Sequence, residues 1–393
     1  MNPVSIASKA FLALILCVVL MAPGIVYAAD VAELYVFFAD LCNDCHGAKP
    51  KLPTYSARGG YDYSGHKNNG NAYYANGDGC QQCHTHEGFV EYLEKGAIDP
   101  KSFVQYPSQP NCFTCHDPHK TGDLSLRKNA KLSLADNTKV TMGKGNLCAN
   151  CHQVRGKAQE TVKATPANKV FGHWGAHHGP QSDMVVGTNA YEFSGKTYYS
   201  SVHATLIKDG CVDCHMKYPQ RRFGFSPELS GHSFRVGADI HGSPVLNTTG
   251  CISQSCHTDM KQVRDKDIFD YKAKADFDND KQVEPIQEEI QGLLDLFVNQ
   301  KGTGYLQKLD PPMYKADGAW NQVNSKNVRS VNEMAALYNY KFVLEDRSRG
   351  IHNAPYTIQI LYDTIKVLDP GFDASKRNVY GRPEDYKPKT ANQ

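Results

Sequence analysis

Five times this chain places two cysteines three residues apart with a histidine directly after the second. The copies are Cys42-x-x-Cys45-His46, Cys80-x-x-Cys83-His84, Cys112-x-x-Cys115-His116, Cys148-x-x-Cys151-His152 and Cys211-x-x-Cys214-His215. A sixth copy is stretched by two residues, Cys251-x4-Cys256-His257. Two thiols at this spacing form two thioethers to one porphyrin edge, and the adjoining imidazole faces the iron as its proximal ligand. Zinc pairs two Cys-x-x-Cys units without demanding a histidine after each. A disulfide framework would need cysteines outside the motifs. Of the 13 cysteines, all but Cys17 fall inside them, so none is left to build one. The cofactor expectation is therefore six covalently bound haem c groups on one chain.

Each iron keeps a second axial position open. The sequence holds 16 histidines; six are proximal, which leaves ten: His66, His86, His119, His173, His177, His178, His203, His232, His241 and His352. Distal ligation is the use such a surplus has, although at least four must be ordinary core or surface histidines. His86 and His119 follow a proximal histidine too closely to reach the far face of the same macrocycle, so as ligands they would serve a neighbouring one; Pro118 stiffens the link to His119. The cluster His173, His177, His178 would supply one ligand without saying which. His203 and His232 flank the fifth motif, and His352 sits where two helices meet, a rigid place for an imidazole. His241 is the weakest candidate. The distal candidates are thus His66, His86, His119, His177, His178, His203, His232 and His352.

The elements that must hold these groups divide the chain in two. Residues 29–260 carry every motif and are rich in Gly, Asn, Lys and Tyr, with few long apolar periodic runs. A side-chain core would be thin there, and the apolar faces of the macrocycles would replace it. Residues 261–393 carry no motif. Val283, Ile286, Ile290, Leu293, Leu294 and Phe297 follow the period of an amphipathic helix. Ser330 and Glu333 form a capping box that opens a second helix through Met334, Leu337, Tyr338, Phe342 and Val343, ended by Gly350. Asn353, with Pro355 two residues on, starts a third through Ile358, Leu361, Tyr362, Ile365 and Leu368. Residues 370–393 read as a polar tail. No alternation typical of strands stands out, so the expected fold class is mainly α with much irregular structure, wrapped around six haems, plus C-terminal helices.

Residues 1–28 read as a secretory signal peptide: Lys9, an apolar run from Ala10 to Met21, then Val26-Tyr27-Ala28 as a small-residue cleavage pattern. The run is too short to cross a bilayer, and residues 26–30 offer no cysteine for lipidation. The expected location is periplasmic or extracellular. With 43 basic and 41 acidic residues the net charge is +2, which leaves no footprint for nucleic acid.

Residues 173–393 resemble the C-terminal part of the multihaem c-type cytochrome family that includes the pentahaem cytochrome c nitrite reductases. The matching pieces are His203 ahead of Gly210-Cys211 to Met216, then His232-Ser233-Phe234, a final motif, and long helices carrying Glu345 through Asn353. Separately, Cys112 to His119 resembles the paired units of many multihaem carriers. The resemblance implies that His352 ligates the last haem, at His257, and that His232 serves an earlier one. One departure matters: the usual ammonia-forming nitrite reductases have a Cys-x-x-Cys-Lys motif, and all six motifs here end in His. No catalytic residue carries over. The expectation is an exported hexahaem cytochrome c moving electrons between a redox protein donor and acceptor through mostly bis-His haems. The alternatives are a reductase of nitrite, hydroxylamine or sulfur oxyanions with one open haem, and a subunit of an extracellular cytochrome filament or other homo-oligomer.

Overall fold

The computed structural model describes residues 54–68, 72–73, 75–99, 101–127, 132–164, 174–219, 226–252, 257–321 and 329–381. The chain divides into two compact units, residues 1–58 and 59–393. Of the first only residues 54–58 are described, so Cys42, Cys45 and His46 lie outside the described residues, as do His173 and Cys256. Everything below concerns the second unit.

Between residues 59 and 260 the chain is mostly irregular, punctuated by single helical turns that coincide with the cysteine motifs. Gln81–His84, Cys112–Cys115, Gly145–Ala149, Cys211–His215 and Thr249–Ile252 are such turns. The coincidence has a geometric cause. A helical turn puts residues i, i+3 and i+4 on one side, so both cysteines and the histidine of a Cys-x-x-Cys-His motif converge on one edge; in the stretched sixth motif the turn includes Cys251 alone. Local capping fixes these turns. Asn111 and Thr114 close a reciprocal capping box on Cys112–Cys115, and Thr85 caps helix α1 (His86–Lys95), its hydroxyl accepting from Gly88 N.

Among the described residues the strands form two small antiparallel pairs, Leu132–Ser133 with Lys139–Val140 and Gly237–Ile240 with Ser243–Leu246. His241 and Gly242 form the tip of the second, both at positive φ, the backbone that a two-residue hairpin turn requires. His241 is exposed there and serves the turn.

The C-terminal helices follow the sequence pattern closely. Helix α2 (Ala158–Ala164) lies ahead of them in the chain, and helix α3 (Ile286–Asp295) begins after Pro285, which leaves Val283 outside it and exposed. Helix α4 (Val331–Asp346) starts at Ser330 with both halves of the capping box in place. It ends at Asp346 rather than at Gly350, because Arg347 adopts the left-handed conformation, φ 62°, that stops a helix. Helix α5 (Ala354–Leu368) has Asn353 as its N-cap, the side chain accepting from Tyr356 N.

One main core joins both halves of the sequence. Ile290, Leu293, Phe297, Leu337, Tyr338, Phe342, Tyr356, Leu361 and Tyr362 pack with Val154, Trp174, Met184, Tyr191 and Tyr198 from the motif-bearing half. Helix α4 is buried at every position from Met334 to Val343. The polar side chain of Asn339 is accommodated there because it bonds both backbone groups of Tyr191, at 2.7 and 3.0 Å, and Thr364 Oγ1 at 2.8 Å. The segment after α5 reads as a tail in sequence, yet Phe372 and Tyr380 are buried in this core. Arg377 holds the segment down by pairing with Asp363 at 2.6 Å and lying 5.0 Å over the Tyr198 ring.

Candidate haem sites

Each motif histidine among the described residues faces a histidine from elsewhere in the chain. His66 stands opposite His152 with ring centres 6.1 Å apart, His177 opposite His84 at 6.1 Å, and His232 opposite His116 at 6.3 Å. His352 stands opposite His215 at 6.2 Å and His203 opposite His257 at 6.1 Å. A metal–imidazole bond is about 2 Å long, and the ring centre lies about 1 Å behind the bonding nitrogen, so two axial imidazoles sit about 6 Å apart. Ordinary aromatic contacts span roughly 4.5–7 Å, so the distance alone does not select a haem. What selects one is that each pair joins one motif histidine to one histidine outside any motif.

The ring nitrogens point the same way. His215 Nδ1 donates to the Phe234 carbonyl at 2.9 Å, His203 Nδ1 to the His352 carbonyl at 3.1 Å, and His116 Nδ1 to the Ser125 carbonyl at 3.3 Å. His152 Nδ1 donates to Gln181 Oε1 at 3.1 Å, and His352 Nδ1 meets Asp346 Oδ1 at 2.6 Å. Such acceptors fix the proton on Nδ1 and leave the Nε2 lone pair as the coordinating atom. Among the described residues His232 Nδ1 is buried without a hydrogen-bond partner, an orphaned atom that suits a ring otherwise held by a metal bond.

Burial keeps most of these imidazoles neutral, the form a metal binds. It pushes His66 and His215 down to about 4 and lowers His84, His152, His203, His232 and His257. His352 runs the other way. Burial acts to lower it, but the charge of Asp346 and its hydrogen bond outweigh burial and raise it. Burial also pushes the Cys115 thiol up to about 11 and Cys214 up to about 12. Free, they would be poor thiolates for a zinc site; as thioethers they carry no proton.

The motif turns touch one another. Cys83 and Cys151 are within side-chain hydrogen-bond reach, and Cys83 Sγ lies 4.0 Å from Asn150 O. Cys148 and Cys211 make the same kind of contact. Gly250, beside Cys251, packs on the fifth motif so tightly that a Cβ there would lie 2.6 Å from Asp213 O and 2.7 Å from Cys214 Cα. The contact order is therefore second, fourth, fifth, sixth motif.

The pairing differs in one respect from what the family resemblance implies. His352 lies across from His215, and His203 takes the place opposite His257. The cause is the turn Arg347–Asn353, which presents the His352 ring to one site and its carbonyl to the ligand of the other. The remaining candidates sit as follows. His86 Nδ1 is 3.0 Å from Thr114 Oγ1, the His119 ring is 5.7 Å from Phe113, and His178 Nδ1 is 2.9 Å from Glu345 Oε2.

Two residues not singled out as candidate ligands complete the sites. Gln181 bridges His152 to the Glu345 carbonyl, to which its Nε2 donates at 2.8 Å. Phe234 lies 5.0 Å from the His66 ring and 5.9 Å from the His232 ring, while its carbonyl holds His215. Three sites meet at that one residue.

Repeated Cys-x-x-Cys-His motifs on adjoining helical turns are the pattern by which a chain binds haem c covalently, and the chain is similar to polyheme c-type cytochromes. It is 24% identical over 221 residues to the C-type polyheme cytochrome OmcB of two Geobacter sulfurreducens strains, a match over 45% of this chain and 28% of that protein. The match thus spans little more than a quarter of those relatives. No protein-family model matches the chain. Among solved structures it is similar to the Outer Cell Wall Cytochrome OcwA, with 20% identity, a TM-score of 0.44 and coverage of 79% of this chain and 50% of that one. It is also similar to an undecaheme cytochrome from the S-layer of Carboxydothermus ferrireducens, with 18% identity, a TM-score of 0.34 and coverage of 75% and 38%.

Proposed function

We propose that the protein is an exported hexahaem electron carrier. Its attachment sites are the six motifs, with His46, His84, His116, His152, His215 and His257 proximal and His177, His232, His66, His352 and His203 distal to the second through sixth in that order. The observation that carries this reading is the facing of each described motif histidine by a second histidine. Haem c supplies one-electron redox chemistry when bound. The chain's own residues then do three things. The paired imidazoles would hold each haem from two sides and leave small ligands no place to bind, the Nδ1 acceptors hold the rings in orientation, and the abutting motif turns would keep successive haems close together. Electrons would pass along the second, fourth, fifth and sixth sites. Redox protein partners would dock at the ends of that path, in respiration that ends outside the cytoplasm. The N-terminal segment supports export, and among the described residues no helix is long and apolar enough to cross a membrane.

The test is spectroscopic. Mass analysis of the mature protein should give six haems, and EPR of the oxidised form should give low-spin signals only. Four or five haems would overturn the count. A high-spin signal perturbed by nitrite would move the protein from carrier to reductase.

A further inference from the structure

Among the described axial ligands proposed above, one imidazole has a buried carboxylate hydrogen-bonded to it. The Nδ1 acceptors of His116, His152, His203 and His215 are neutral: Ser125 O, Gln181 Oε1, His352 O and Phe234 O. His352 Nδ1 instead meets the carboxylate of Asp346 at 2.6 Å, shorter than any of these. That carboxylate is 1% exposed, and His352 is its ion-pair partner. Asp346 Oδ2 is steadied by Ser348, which donates to it from both backbone N and hydroxyl. The Ser348 hydroxyl in turn accepts from His352 N at 3.2 Å. The carboxylate, the ring and the turn between them form one closed network.

We infer that Asp346 is a positioning residue that sets the reduction potential of the haem held between His215 and His352. A buried carboxylate hydrogen-bonded to Nδ1 gives the imidazole partial imidazolate character and makes Nε2 a stronger donor. Low local dielectric leaves that charge little screened. A stronger anionic donor stabilises ferric over ferrous iron, so this haem takes up its single electron less readily than its neighbours. It also lies in the middle of the path, between the fourth and sixth motifs. The protein thus places its least easily reduced centre at an interior step, where electrons are relayed rather than stored. Glu345 on His178 at 2.9 Å is no equivalent, because that histidine is half exposed to solvent.

The inference rests on the ligand pairs proposed above, and the experiment separates the two. Holoprotein is titrated potentiometrically with optical and EPR detection, as wild type and as Asp346→Asn, Asp346→Glu and His352→Ala. Asp346→Asn keeps an oxygen for the Nδ1 proton and removes the charge. One midpoint potential should rise by at least a tenfold change in the ferric/ferrous equilibrium, about 59 mV for one electron, with the same number of low-spin haems. Asp346→Glu should restore part of the shift. Ser348→Ala, which keeps the carboxylate, should move it less than Asp346→Asn. If His352→Ala opens one iron to cyanide while Asp346→Asn leaves every potential unchanged, the inference fails and the ligand pair stands. If His352→Ala opens no iron, the pair itself is wrong.

Discussion

Asn353 is where the C-terminal helices and the haem ligands are tied together, and replacing it with alanine tests that tie. The side chain is fully buried. Its Oδ1 accepts from Tyr356 N at 3.2 Å, capping α5, and from Ser201 N at 3.0 Å. Its Nδ2 donates to Met184 O and to Ser200 Oγ, both at 3.0 Å. A net contribution of about 1 kcal/mol per hydrogen bond gives about 4 kcal/mol for the set. The cap accounts for about 1 kcal/mol of it. Asn353→Ser keeps the cap and loses the other contacts, so it should fall between wild type and alanine, about 3 kcal/mol down. The effect reaches the ligands because His352 precedes Asn353, and Ser201 Oγ bonds both the His352 carbonyl and His203 N, each at 3.3 Å. Denaturant unfolding of haem-loaded protein gives the energy, and EPR line widths report the two ligands. A loss below about 1.5 kcal/mol for alanine, or serine behaving as wild type, would refute the clamp and leave Asn353 a simple helix cap.

Three further outcomes are expected. His203→Ala should convert one low-spin haem to high spin, and that signal should vanish when the sixth attachment motif is also removed. If it vanishes instead on removing the fifth, the pairing is reversed. Gly250→Ala should destabilise the protein by about 1–3 kcal/mol, the usual effect of overpacking, because the new methyl meets the backbone of the fifth motif; wild-type unfolding would show that the turns are not in contact. Lys341 is 8% exposed, and burial lowers it to about 8 despite the favourable charge of Glu345. Below that pH it is charged in both states and its burial opposes folding. Between about 8 and its ordinary value near 10.5 the folded state releases the proton first, so stability rises with pH across that window. Relative to Lys341→Met, the melting temperature of the wild type should climb from pH 8 to pH 10, and parallel curves for the two would contradict this.

The proposed attachment sites and much of the C-terminal scaffold are written in the residues themselves, because both are local. A Cys-x-x-Cys-His unit needs a single helical turn, and a capping box at Ser330 or an N-cap at Asn353 is satisfied within four residues. Elements departed from the sequence pattern where contacts outside the helical period compete. Helix α4 stops at Asp346 instead of Gly350 because Asp346, Ser348 and His352 bind one another. Residues 370–381 dock because Phe372 and Tyr380 find an apolar core to enter.

The identity of the distal ligands lies at the other extreme. His352 and His215 are far apart in sequence, as are His66 and His152, and spacing does not say which ring crosses to which iron. Sequence alone carried the expectation of covalently attached haem and of its proximal ligands, since those depend on thiols and imidazoles a few bonds apart. Only the tertiary structure decided which histidines face each other, which motif turns adjoin, and that Asp346 rather than a neutral carbonyl stands behind His352. Those are through-space relations, fixed by how helices and turns pack.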